Sequence, residues 1–103
     1  MNSARIKMLE QFLAEDPTNP FNHYALALEL AKSDKQKAKN VFDQLITTNP
    51  DYVPAYYQVA LLYLEMTLNE DATIIIEKGI VQAKKQNNLK AANELRSLLD
   101  EID

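Results

Sequence analysis

An all-α fold made of stacked antiparallel helix pairs is predicted by three features of the sequence. Only one glycine occurs among 103 residues, whereas strand-and-turn proteins need many for their tight turns. Apolar residues recur at helical spacing rather than in alternation. The third feature is an echo: AEDPTNPFNHYALALEL (Ala14 to Leu30) returns as TTNPDYVPAYYQVALLY (Thr47 to Tyr63). Pro17 and Pro50 lie 33 apart, as do Leu26 and Val59, Ala27 and Ala60, and Leu30 and Tyr63. Ala38 and Ala72 lie 34 apart, as do Phe42 and Ile76, so the first copy has lost one residue in the turn AKSDKQK, between Leu30 and Ala38. Such a period marks a helix-turn-helix repeat, whose single unit cannot bury its apolar face alone.

Breakers and periodicity then set each element. Ile6, Leu9, Phe12 and Leu13 form an apolar stripe closed by Asp16-Pro17, which predicts a helix over about Ser3–Glu15. Pro20 suits the first turn of a second helix, where its missing N–H is not needed, and that helix runs to about Lys32. Asp34 is placed to cap a third helix, about Lys35–Thr47, which must stop before Asn49-Pro50. The fourth, about Val53–Met66, carries Pro54 in its first turn. Asn69 is expected to cap a fifth, about Glu70–Gln86, and Asn87-Asn88 to end it in left-handed backbone without glycine. A sixth, about Leu89–Glu101, has Ala91, Ala92, Leu95, Leu98, Leu99 and Ile102 on one face. Ile74-Ile75-Ile76 has strand propensity, but it lies in a helical frame of Ala72, Gly79, Ile80 and Ala83, and the frame is expected to win.

Composition excludes whole classes of chemistry. There is no cysteine and one histidine, which rules out disulfides, thiol catalysis and multi-histidine metal centres. One glycine and one histidine leave no phosphate-cradling loop and no Ser/His/Asp order. A net charge of −4 disfavours nucleic acid and anionic membrane as partners. No apolar run approaches the roughly 20 residues of a membrane span. MNSARIKMLEQ lacks the apolar stretch of a signal peptide, so the cytoplasm is the expected location. The acidic runs NEDA (Asn69 to Ala72) and LDEID (Leu99 to Asp103) read as a helix start and a solvated tail, and KSDKQKAK (Lys32 to Lys39) as a solvated turn. His23 reads as a spacer between the first two helices or as a partly exposed polar residue. The expectation is a protein without enzyme activity, metal or cofactor.

The repeated positions resemble the tetratricopeptide repeat (TPR) family. The second copy matches its pattern at Tyr56, Val59-Ala60, Tyr63, Ala72, Ile76 and Gly79. The first matches at Leu26-Ala27, Leu30, Ala38, Phe42 and Pro50, with His23 where a large apolar residue is usual and Leu45 where a small one is. Thr67 stands where the family's turn has glycine. The resemblance implies a TPR-like α-α superhelix, a right-handed stack of antiparallel helix pairs, with about six helices in one domain over residues 1–103. Residues 3–17 would be a lone helix, 18–50 and 51–86 the two repeats, and 87–103 a C-terminal capping helix. Ala27, Ala60, Ala38, Ala72 and Gly79 are then the small residues that let helices approach closely.

The family's A helices line a concave groove for partner segments. Carried over, its positions are Phe21, Tyr24, Leu28 and Lys32 on one helix, and Tyr57, Gln58, Leu61 and Glu65 on the next, with Tyr52 in the preceding turn. The Lys, Asn and Arg clamp for acidic C-termini is missing, so the groove suits an apolar peptide or helix of another protein. The terminal helix could instead fold over these residues and close the groove. A second surface competes. Ile74 and Val81 fall nearly opposite the core face of the fifth helix, seven residues apart, and could seed a homodimer. Two function classes stay open: an adaptor that binds a partner, and a self-associating structural module.

Overall fold

Prolines and short polar side chains start and stop the helices. The computed structural model describes residues 3–102, and its six helices are α1 (Ser3–Glu15), α2 (Pro20–Leu30), α3 (Lys35–Thr48), α4 (Val53–Glu65), α5 (Asn69–Lys85) and α6 (Leu89–Glu101). No strand forms among the described residues, and Ile74-Ile75-Ile76 lies within α5. Pro20 opens α2, and Asn19 Oδ1 accepts the Phe21 N–H at 3.0 Å. Asp34 caps α3 by accepting the Lys37 N–H at 3.1 Å. Asn88 caps α6 through the Ala91 N–H, also at 3.1 Å. The fifth helix departs from expectation. Leu68 is its cap residue and supplies no side-chain hydrogen bond, while Asn69 is already helical. Glu70 and Asp71 in that first turn complement the positive end of the helix dipole instead.

Helices α4 and α5 end in one motif built on different residues. Thr67 (φ 59°) and Asn87 (φ 57°) adopt left-handed backbone. The next N–H then reaches back five residues, Leu68 to the Tyr63 carbonyl and Asn88 to the Ala83 carbonyl, each at 2.8 Å. Asn tolerates this conformation, whereas Thr, with its branched Cβ, is strained in it. Helix α2 ends otherwise. The N–H groups of Ser33 and Asp34 both bond the Leu30 carbonyl, and α2 and its turn contain no left-handed residue. The residue missing from the first copy thus appears as a different exit from the helix.

The fold divides between Asn49 and Pro50 into two compact units. In the first, α2 packs on both α1 and α3. Its buried apolar residues are Leu9, Leu26, Ala27, Leu30, Ala38, Phe42 and Leu45, and Leu9 is the only buried residue of α1. In the second, α5 packs on α4 and α6, and α4 also meets α6. Val53, Ala83 and Ala92, one from each helix, form a tight cluster there. Ala27, Ala38, Ala60 and Ala72 are wholly inaccessible, as residues at a close helix contact must be. The core face of α5 is rotated slightly from the expected one, with Ile75 buried and Ile80 only half-buried.

The same latch recurs in both units. Tyr56 donates its hydroxyl proton to the Pro50 carbonyl at 2.5 Å, and His23 Nε2 lies 2.8 Å from the Pro17 carbonyl. Tyr56 and His23 are equivalent positions, as are the two prolines. A carbonyl only accepts, so the His23 ring must carry a proton on Nε2. Side-chain volume is exchanged beside each latch. In the second unit Tyr56 lies against Gly79; the equivalent positions of the first hold the smaller His23 and the larger Leu45, and Leu45 is fully buried.

Candidate functional site

The A helices α2 and α4 each turn one face to a helix neighbour and leave another partly uncovered. On α2, Leu26, Ala27, Glu29 and Leu30 are buried. Tyr24 and Leu28 are half-buried, and Phe21 is 57% exposed. The Tyr24 ring meets the buried Phe42 edge-on, with centroids 6.4 Å apart, so one side of this phenol belongs to the core. On α4, Tyr57, Gln58 and Leu61 are half-buried between buried neighbours, and Tyr52 is half-buried just ahead of the helix. Burial pushes the Tyr52 phenol above its ordinary pKa. Tyr56 shifts the same way, from burial first and then the Asp51 carboxylate. Both stay neutral hydroxyls at physiological pH.

A buried charge on α2 escaped the sequence reading. Glu29 has a side chain only 8% exposed, and its Oε2 accepts from Arg5 Nε of α1 at 3.2 Å and from Lys32 Nζ at 3.1 Å. Lys32, expected to face a partner, is therefore engaged inside its own unit. The hydrogen bond from Lys32 does most to hold the Glu29 carboxyl below its ordinary pKa; burial opposes it, and Arg5 adds to the lowering. Lys32 three residues on was visible in the sequence, but Arg5, 24 residues earlier, needed the α1–α2 contact to be known.

Because the folded pKa is lowered, ionised Glu29 contributes its full stabilisation above the unfolded-state value, and that contribution is lost as pH falls through the folded value. Glu29→Gln is expected to lower the melting temperature at pH 7, with the gap to wild type closing on acidification through the carboxylate range. Melting curves across pH read this directly; a gap independent of pH would mean that the ion pair does not stabilise the fold.

The other expected residues fall as follows. Ile74 and Val81 lie on the outward face of α5, 51% and 52% exposed. Among the described residues no group of histidine, cysteine or acidic side chains could hold a metal ion, and no helix is long and apolar enough to cross a membrane.

Comparison with known proteins decides the family. A tetratricopeptide repeat domain protein from Salinibacter ruber, solved in solution by NMR, is 35% identical, with a TM-score of 0.80 over 85% of this chain and 90% of that one. The chain belongs to the tetratricopeptide repeat family. A crystal structure of a TPR domain protein from the same organism agrees, at 35% identity and a TM-score of 0.73 over 77% of this chain and 90% of that one. MamA, at 22% identity, shares the TPR fold, with a TM-score of 0.66 over 93% of this chain and 67% of that one. No family model and no curated protein matches the sequence. In this TPR chain two pattern positions of the first repeat hold His23, bonded to the Pro17 carbonyl, and Leu45, which is fully buried.

Proposed function

We propose that this TPR chain is a non-enzymatic protein-interaction module that holds an apolar peptide or helix of a partner on its A-helix faces. Phe21, Tyr24 and Leu28 serve on α2, and Tyr57, Gln58 and Leu61 on α4, with Tyr52 just ahead of α4. The observation that carries the reading is apolar and aromatic surface left uncovered on each A helix, above all Phe21. Aromatic anchors of this kind supply much of the energy of peptide capture, while their polar tips tolerate water. Cationic side chains are absent from these seven positions, which favours an apolar segment over a carboxylate terminus.

Tyr24 is a poor probe, because removing its ring also strips Phe42. Phe21 and Tyr57 are cleaner. Phe21→Ala and Tyr57→Ala are each expected to weaken a partner captured from the native lysate by about 1–3 kcal/mol, measured by titration calorimetry, with melting temperatures within a few degrees of wild type. Unchanged affinity in both variants would remove the A-helix faces as the binding surface.

A further inference from the structure

The first and last helices are held very differently. Helix α6 buries Ala92, Leu95 and Leu98 and packs on both α4 and α5. Helix α1 packs on α2 with Leu9 its one buried residue among those described, while Met8 and Phe12 stand 42% and 46% exposed. Its ends lack charge support as well. No acidic residue lies in its first turn, no basic residue in its last, and Glu15 sits at the negative end of the helix dipole.

The contact between α1 and α2 is uneven along its length. At the C-terminal end of α1, Asn22 Nδ2 donates to the Phe12 and Asp16 carbonyls at 3.4 and 3.1 Å, and the His23 latch on Pro17 fixes the loop that follows. Along the first half, a crevice of about 250 Å³ runs between Ser3, Ile6 and Glu10 of α1 and Leu30, Ser33 and Lys37. A well-packed helix pair leaves few voids larger than a water molecule. In this same half Arg5 Nε reaches the nearly buried Glu29 carboxylate, which Lys32 also bonds from the turn after α2. Of these two cations, Arg5 belongs to α1 and Lys32 does not.

We propose that α1 is a hinged flap. Its first half leaves α2 while α2 and α3 stay packed, the tied C-terminal end is the hinge, and the Arg5–Glu29 pair is the catch. A helix of 13 residues is marginal in water without tertiary support. The freed segment therefore loses its helical hydrogen bonds, and Glu29 and Leu30 are uncovered. Local openings of this kind occur where few apolar groups are buried. Arg5 departs with the flap, whereas the Lys32–Glu29 bond lies within α2 and its turn and survives the opening. The device is separate from the A-helix faces, so each reading can fail alone.

Native-state hydrogen exchange of the full chain, followed by amide NMR at low urea concentrations, tests it. After correction for intrinsic rates, amides 7–10 are expected to exchange at least about tenfold faster than the α3 amides. Their urea dependence is expected to be shallower, because the opening exposes less surface than unfolding of the unit. Arg5→Gln is expected to speed exchange at amides 7–10 by a further factor of at least about ten, since it leaves the buried Glu29 carboxylate without the cation that α1 supplies. Lys32→Gln is expected to change it by less than about threefold, because its bond to Glu29 is present in both states. Circular dichroism melts verify that both variants fold. Equal rates and equal urea slopes in α1 and α3 would place α1 inside one cooperative unit and overturn the flap. Exchange at amides 7–10 that Arg5→Gln leaves unchanged, or that Lys32→Gln speeds as much, would overturn the catch and with it the proposal.

Discussion

Gly79→Leu is expected to unfold Pro50–Asp103 or to bring it close to unfolding, and even Gly79→Ala is expected to destabilise. Replacing glycine with alanine inside a helix ordinarily adds about 0.5–1 kcal/mol. Here a Cβ on Gly79 would sit 2.7 Å from Tyr56 Cβ and 2.9 Å from both Tyr56 Cγ and Leu95 Cδ1. The Tyr56 atoms cannot swing aside, because the ring is wholly buried and its hydroxyl is tied to the Pro50 carbonyl. The backbones of α4 and α5 would have to separate, and overpacking of this kind costs about 1–3 kcal/mol, occasionally more. Leucine should reach or pass the upper figure. Chemical denaturation measures both variants. The first unit suggests the rescue: Tyr56→His should recover part of the loss from Gly79→Leu, because the first unit carries His23 and Leu45 at the two equivalent positions. Strictly additive effects in that double-mutant cycle would show that the two positions do not share space.

Phe42→Ala is expected to be the most damaging truncation in the first unit, at about 3–5 kcal/mol. Phe42 is 1% exposed and carries the Tyr24 ring against its edge. The surrounding helices cannot close the space, since α2 is already held by α1 on one side and α3 on the other. Small proteins have roughly 5–15 kcal/mol in total, so most of the margin would go. A melting temperature within a few degrees of wild type would mean that the site collapses far more readily than its burial implies.

Much of this was legible in the sequence because the repeat states its own register. The proline spacing placed α2 and α4, and the recurring alanines marked the contacts at which helices touch. Cap residues were less legible. Asn69 looked like a cap by type, yet Leu68 occupies that place, because the left-handed Thr67 draws the Leu68 N–H back to Tyr63 and the new helix begins one residue earlier than expected. The same limit applies at α5, where a hundred-degree wheel put Ile80 inside and packing against α4 and α6 chose Ile75. For the candidate site, residue type and exposure class could be read from the A-helix positions. The double role of Tyr24 could not, because it depends on a contact with Phe42 in another helix. Glu29 was hidden for a similar reason. A charge in an apolar run is tolerated only when its counter-charges are in place, and one of them is supplied by α1.

The packing pattern also bears on how fast the chain acquires its structure. Within the first unit, each packed pair joins helices adjacent in the chain, and in the second only α4 with α6 skips a neighbour. Contacts of such short sequence separation require little loop closure before they are rewarded, and helical proteins built this way fold in microseconds to milliseconds. No long-range strand pairing delays either unit among the described residues. Each unit can therefore reach its packed state before much apolar surface has lingered in water, which limits the time available for misassembly with neighbouring chains.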